Sequence, residues 1–390
     1  IEGLIFLESM RQLALEVGRE NSIFLHLTYI PFIAAAGEVK TKPTQQSVAK
    51  LREIGIMPDV LICRTEVELD DEHLDKLSLF CNVDRSCVIV EKDVDHSIYE
   101  IPIILSKAGL DEIILKRFCI DKPACSLADW EELINVIRSP DGEITIGVVG
   151  KYSELQDAYK SVDEALMHGG YSFGKKVLVK KIAAEEIEKN PAILKSVEGI
   201  LIPGGFGSRG MEGKILAAQY AREHNIPFLG ICLGLQCAVI EFSRNVCGFE
   251  GAHTTEFDDE REEKTDDPVV CLMDEQEGIT ELGGTMRLGA YRCRLKKGTK
   301  VAEAYGSEDI SERHRHRYEV NNKYRDALEK HGMILSGVNP DIGVVEMIEL
   351  ENHPWFVGTQ AHPELKSEPV RPHPLFKHFI GAAIAFQKAR

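Results

Sequence analysis

IPFLGICLGLQCAVIEFSRN, residues 226–245, is the stretch of this 390-residue chain that decides its fold. Ile226-Pro227-Phe228-Leu229 is a short apolar run bounded by polar residues, which predicts a buried strand. Leu235, Val239, Ile240 and Phe242 then repeat at helical spacing. Between them stands Gly230-Ile231-Cys232-Leu233-Gly234. A strand that turns this sharply into a helix projects the side chain at the turn, and glycines on either side keep Cβ atoms out of the crowded junction. The pattern is a G-x-S-x-G nucleophile elbow with cysteine in place of serine. The helix N-terminus behind Cys232 favours a thiolate, and the Leu233 N–H falls where an oxyanion would form. The pentapeptide alone fits a buried cysteine in an ordinary α/β turn equally well.

Two further segments bear on that choice, because a nucleophilic cysteine needs a base and the base needs an orienting group. Trp355 to Gln360 reads as a strand leading into Ala361-His362-Pro363-Glu364, where Pro363 ends the strand and lets His362 and Glu364 present together. Gly199-Ile200-Leu201-Ile202 is a strand running into Pro203-Gly204-Gly205-Phe206-Gly207, whose glycines let backbone N–H groups approach a ligand. Gln236 lies one turn along the helix from Cys232, with a carboxamide suited to a substrate amide. Arg313, Arg315 and Arg317 alternate with His314 and His316, so an extended strand would carry arginines on one side and histidines on the other. No third ligand accompanies the two histidines, and the run reads as a charged strand rather than a metal site.

In this order the three motifs resemble the class I glutamine amidotransferases. The resemblance implies a triad of Cys232, His362 and Glu364. It implies that Gly204, Gly205, Leu233, Gly234, Leu235 and Gln236 hold glutamine or its oxyanion. It assigns Glu256, in His253-Thr254-Thr255-Glu256-Phe257, to the α-ammonium of glutamine and Arg317 to the α-carboxylate, charge pairings that suit both groups. Ala361 departs from the family, which has an aromatic before His-Pro-Glu; a looser wall around His362 is expected.

A length of 390 residues predicts two domains, and 44% apolar content suffices for two cores. The net charge of −17 argues against nucleic acid as a partner, although local basic clusters still suit anionic nucleotides. Ten cysteines are scattered with no C-x-x-C pair, which argues against zinc and for a reducing, cytoplasmic compartment. No apolar run is long enough for a membrane span.

The first third alternates strands and helices, which predicts a parallel, doubly wound sheet. Leu7 to Glu16 reads as an amphipathic helix, and Ser22 to Ile33 as a strand buried on both faces. Lys40-Thr41-Lys42-Pro43-Thr44-Gln45 follows it, with Pro43 opening a helix. Such a basic loop at a helix N-terminus suits a phosphate, although a solvated turn is the commoner outcome. Lys92-Asp93-Val94 follows another strand, at the edge where α/β sheets bind ligands.

The KTKPTQ string, the leading Ile1-Glu2, Lys76 and the KDVD segment, joined to the downstream motifs, resemble the CTP synthase family over the full length. The fold implied is two doubly wound, mostly parallel α/β domains: part of a P-loop-type synthetase domain at 1–120, a linker at 121–143 and a class I glutamine amidotransferase domain at 144–390. The resemblance places Ile1, Glu2, Lys40, Thr41, Lys42, Pro43, Thr44, Gln45 and Lys76 at the UTP and CTP site. It places Lys92, Asp93 and Val94 at the adenine of ATP, with His96 a departure just beyond. GTP is implied as an activator, with Arg209 and Arg287 as candidate contacts, and a homotetramer is implied through the synthetase half. The family's ATP-binding P-loop and the acidic ligands of its Mg2+ have no counterpart here, so these residues alone are expected to hydrolyse glutamine without making CTP. A free-standing glutaminase is the first alternative, against which the KTKPTQ loop argues; a non-catalytic nucleotide-binding regulatory module is the second, against which the triad argues.

Overall fold

The computed structural model describes residues 3–123, 125–151, 156–260, 264–272 and 286–390. Ile1 and Glu2, and most of the glycine-rich turn before Arg287, lie outside these. The chain divides into two compact units, Ile1–Arg138 and Ser139–Arg390. The division falls at Ser139-Pro140-Asp141-Gly142, where turn formers interrupt both flanking patterns.

The first unit runs α1 (Leu4–Val17), β1 (Leu25–Ile30), a small hairpin of β2 (Phe32–Ile33) and β3 (Glu38–Val39), α2 (Lys42–Ile54), β4 (Val60–Thr65), α3 (Asp71–Cys81), β5 (Val88–Lys92), α4 (Ile101–Lys107), α5 (Leu110–Arg117) and α6 (Ala128–Arg138). β1, β4 and β5 form a parallel sheet in the order β1-β4-β5. Central β4 is covered on both faces: Leu61 and Cys63 pack with Val48, Leu74 and Leu77, while Val60 and Ile62 pack with Leu105, Leu110 and Ile114. Edge strand β1 differs from the expectation of burial on both faces. Thr28 and Ile30 are buried, but Leu25, Leu27 and Tyr29 stand exposed, because the α4–α5 layer stops at β4. Helix α6, placed by sequence in the linker, packs within this unit through Leu133 and Ile134, a Tyr99–Trp130 contact and an Arg138–Glu100 ion pair of 2.6 Å.

The second unit runs β6 (Glu143–Gly150), α7 (Lys160–Tyr171), β7 (Lys176–Ala183), α8 (Ala184–Lys189), β8 (Gly199–Ile202), α9 (Met211–Glu223), β9 (Phe228–Ile231), α10 (Leu233–Asn245), β10 (Ala252–Thr254), β11 (Asp267–Leu272) and β12 (Arg287–Leu295). It continues through α11 (Lys300–Tyr305), β13 (Asp309–His316), β14 (Tyr318–Val320), α12 (Arg325–Lys330), β15 (Met333–Val338), β16 (Val345–Leu350), β17 (Phe356–Thr359) and α13 (Pro374–Ala389). Nine strands form one sheet, ordered β13-β12-β15-β16-β17-β9-β8-β6-β7. The five from β17 to β7 are parallel, as the apolar runs predict. The other four are antiparallel, a feature the α/β rhythm of the sequence did not announce. α7 and α13 cover one face, with Leu166, Phe376 and Phe379 against Ile146, Leu201 and Leu229. α8, α9 and α10 cover the other, with Ile187, Ala218 and Val239 against Ile200, Phe228 and Phe356. The central strands β8, β9 and β17 are wholly buried, which explains their unbroken apolar character.

Candidate active site

Three adjacent parallel strands deliver the three sequence motifs to one edge. β8 ends at Ile202 beside Gly230 of β9, and β9 ends at Ile231 beside Thr359 of β17. The residues that follow, Pro203-Gly204-Gly205, Cys232 and Gln360-Ala361-His362, therefore emerge side by side. Cys232 caps α10 with φ 52° and ψ −102°, a conformation that side chains other than glycine rarely adopt, and its N–H donates to Thr359 O at 2.7 Å. Gly234 has no room for a Cβ, which would stand 2.2 Å from Ile202 O. A Cβ on Gly204 would stand 2.7 Å from His362 Cε1, so the PGGFG loop lies directly against the histidine ring.

His362 hydrogen-bonds to Cys232, and its Nδ1 to Glu364 Oε1 at 2.7 Å. Burial opposes a charge on His362, but its hydrogen bonds to Cys232 and Glu364, and their charges, outweigh burial and push it up to about 10. The His362 N–H donates to Arg313 O at 2.7 Å, tying the His-Pro-Glu turn to β13. Ala361 is buried at the wall of the site.

Gln236 is buried, and its Nε2 donates to Tyr318 O at 3.0 Å and to Gln360 Oε1 at 3.3 Å. Half-buried Arg317 directly precedes Tyr318, so the arginine assigned to the α-carboxylate lies beside the carbonyl that holds Gln236. Glu256 Oε1 accepts from the Gly207 N–H at 3.3 Å, which brings the HTTEF segment to the PGGFG loop. Arg209 is exposed at the far end of that loop and pairs with Glu185 at 2.7 Å.

Arg287 is a correction. Proposed from sequence as an effector contact, it is buried: its guanidinium donates at 2.8 Å to both Glu319 and Glu346 and lies 4.4 Å over the Tyr291 ring. An arginine with both arms committed inside the protein has none to offer a nucleotide. β13 does alternate as read, with Glu312, His314 and His316 buried and Arg313 and Arg315 exposed. The two histidines share a 2.9 Å hydrogen bond beside Arg287 and its carboxylates. Burial, reinforced by neighbouring positive charge, pushes His314 down to about 3. Burial likewise pushes Glu319 up to about 8, against the pull of Arg287.

Sequence reasoning missed Gln360, which is fully buried with its Nε2 3.6 Å from Cys232 Sγ. A carboxamide closing the apolar run before His362 was the available signal.

In the first unit, Lys40–Gln45 leads into α2, with Thr41 at its N-cap and Pro43 in its first turn. Gln45 donates to Thr41 Oγ1 at 3.2 Å, and Thr44 Oγ1 lies 3.0 Å from Thr28 Oγ1 of β1. Lys42 is exposed, and Lys76 is exposed on α3. Lys92-Asp93-Val94 leaves the C-terminal end of β5, where Asp93 pairs with Arg64 at 2.6 Å. Both segments thus follow the carboxyl edge of the same parallel sheet, the ligand-binding edge of such sheets.

The class I glutamine amidotransferase family matches residues 154–382, and the CTP synthase N-terminus family matches residues 1–120. A CTP synthase from Fibrobacter succinogenes is 54% identical over 391 residues, covering 100% of this chain and 69% of that protein. The Trypanosoma brucei CTP synthase glutaminase domain with bound acivicin superposes with a TM-score of 0.58 at 37% identity, over 62% of this chain and 94% of that one. The second unit is therefore a class I glutamine amidotransferase, in which fold and family agree. The chain belongs to the CTP synthase family: it is a ligase of pyrimidine biosynthesis that draws its nitrogen from glutamine.

Proposed function

We propose that Cys232, His362 and Glu364 carry out the glutaminase half-reaction. The observation that carries this reading is the chain of contacts from Cys232 through His362 to Glu364, at the N-terminus of a helix that Cys232 caps. The Cys232 sulfur attacks the side-chain amide carbon of glutamine, and the carbonyl oxygen becomes an oxyanion held by the N–H groups of Gly205 and Leu233. His362 gives its proton to the departing nitrogen, which leaves as ammonia with the C–N bond broken and a thioester formed. His362 then takes a proton from water, the resulting hydroxide displaces the sulfur, and glutamate is released. Glu364 orients the ring throughout. Gln236 receives the substrate amide, Glu256 the α-ammonium and Arg317 the α-carboxylate. Gly204, Gly234 and Leu235 shape the wall. A Cys232→Ala protein is expected to lose glutaminase turnover by on the order of 10⁴-fold or more; turnover within tenfold of the wild type would refute the triad.

In the synthetase half, ATP activates the 4-oxygen of UTP and ammonia displaces phosphate to give CTP. Lys40–Gln45 and Lys76 are the proposed UTP and CTP contacts, joined by Ile1 and Glu2 from outside the described residues, and Lys92-Asp93-Val94 the adenine contacts of ATP. The position of both segments at one carboxyl edge supports this. ATP is expected to act with Mg2+; among the described residues no group of three or more histidine, cysteine, aspartate or glutamate side chains could hold that ion. Exposed Arg209 stays a candidate GTP contact. Assembly as a homotetramer through the synthetase half and a cytoplasmic location complete the reading, with no nucleic acid or membrane partner. No helix among the described residues is long and apolar enough to cross a membrane.

A further inference from the structure

Among the described residues, buried Gln360 joins half-buried His362 in reaching the Cys232 sulfur by a hydrogen bond. Gln360 follows β17 directly, it is wholly enclosed, and its own N–H is anchored on Glu346 O at 2.8 Å. A carboxamide beside a cysteine could turn either way, offering the sulfur a donor or an oxygen. The surroundings decide which. Tyr318 O is a backbone carbonyl and can only accept, so Gln236 must present its NH2 to it. That NH2 has a second hydrogen, which is directed at Gln360. Gln360 must therefore answer with its oxygen, and its own NH2 is left facing Cys232 at 3.6 Å.

We propose that Gln360 is a positioning residue of the glutaminase half-reaction: its carboxamide N–H holds the Cys232 sulfur as an acceptor, in an orientation dictated from the Tyr318 carbonyl through Gln236. The proposal rests on the reading of Cys232 as the nucleophile. Its chemistry is specific. A donor strengthens its hold on sulfur as negative charge gathers there, so it favours the attacking thiolate over the thiol and again steadies the sulfur when it leaves the thioester. His362 supplies the other hydrogen bond to the sulfur but must release its proton during the reaction; Gln360 keeps its own. The relay also assigns the orientation of Gln236. Both of its N–H groups are committed, so it meets the substrate through Oε1, as an acceptor for the amide hydrogens of glutamine.

The test is alkylation of Cys232 by iodoacetamide in the full chain, followed by peptide mass spectrometry across a pH series. Exposed Cys119 and Cys125 serve as internal references. Gln360→Met removes the donor at similar volume. Gln360→Glu keeps the shape and replaces the donor with an anionic acceptor, so it guards against a packing defect in the first variant. With Met, alkylation of Cys232 at neutral pH is expected to slow about tenfold and its pH profile to move to higher pH. With Glu the displacement is expected to be larger, while the reference cysteines stay unchanged. In glutaminase assays the loss falls on kcat rather than KM. A Cys232 profile that stays at the wild-type position in either folded variant overturns the proposal. Cys232→Ala separates the two readings: if it is inactive while Gln360→Glu alkylates as the wild type does, only the role of Gln360 fails.

Discussion

Two glycines at the site separate catalysis from folding. At Gly204 the obstacle to a Cβ is the ring of His362, a side chain that can yield. Gly204→Ala is therefore expected to fold, with a melting temperature near that of the wild type, but to lose about 10²-fold in kcat because the ring is displaced. At Gly234 the obstacle is Ile202 O, backbone of a buried central strand. Gly234→Ala is expected to destabilise the second unit by about 3 kcal/mol or more, since neither helix nor strand can move aside. Thermal unfolding and steady-state kinetics on the two variants check the contrast; equal behaviour would refute it. Glu256→Gln addresses the substrate's charge instead, and about a tenfold rise in KM for glutamine with little change in kcat is expected.

Buried titratable groups packed beside the antiparallel strands govern the response to pH. Glu319 carries a folded value of about 8 against an ordinary 4.5, so its contribution to stability is whole below pH 4.5 and is lost as pH rises through about 8. His362, at about 10 against 6.5, contributes fully below pH 6.5 and loses its contribution as pH rises through about 10. Both act in the alkaline direction, so melting temperature is expected to fall from pH 7 to pH 10. Glu319→Gln is expected to flatten the earlier part of that fall while leaving the later part. A variant curve parallel to the wild type would dismiss the Arg287 cluster as its source. These strands are also where sequence reading reached least. The elbow, the PGGFG turn and the His-Pro-Glu turn were legible because each depends on local backbone chemistry: a glycine where a Cβ cannot fit, a proline where a strand must stop. The burial of Arg287 was not, because it depends on Glu319 and Glu346, which lie 32 and 59 residues away in sequence. The exposed Leu27 in β1 was misjudged for a related reason, since an apolar run states what a strand can bury and not which helices arrive to cover it.

At the scale of the molecule, the second unit has its own core on both faces of a nine-stranded sheet and holds every proposed triad and glutamine-binding residue. The solved trypanosomal glutaminase domain corresponds to 62% of this chain, close to the extent of that unit. Residues 139–390 expressed alone are therefore expected to unfold cooperatively and to keep a reactive Cys232. An aggregated product, or one whose Cys232 alkylates markedly more slowly than Cys232 of the full chain, would show that the unit depends on the rest of the chain.

The left-handed backbone at Cys232 has a consequence for directed evolution. A cysteine at this φ costs the fold on the order of 1–3 kcal/mol that a glycine would not incur. Glycine takes this backbone without that cost and alanine does not, so Cys232→Gly is expected to melt a few degrees above Cys232→Ala. A library screened for heat tolerance alone would thus be enriched in proteins that have discarded their nucleophile, and any programme to harden this enzyme has to select for turnover at the same time.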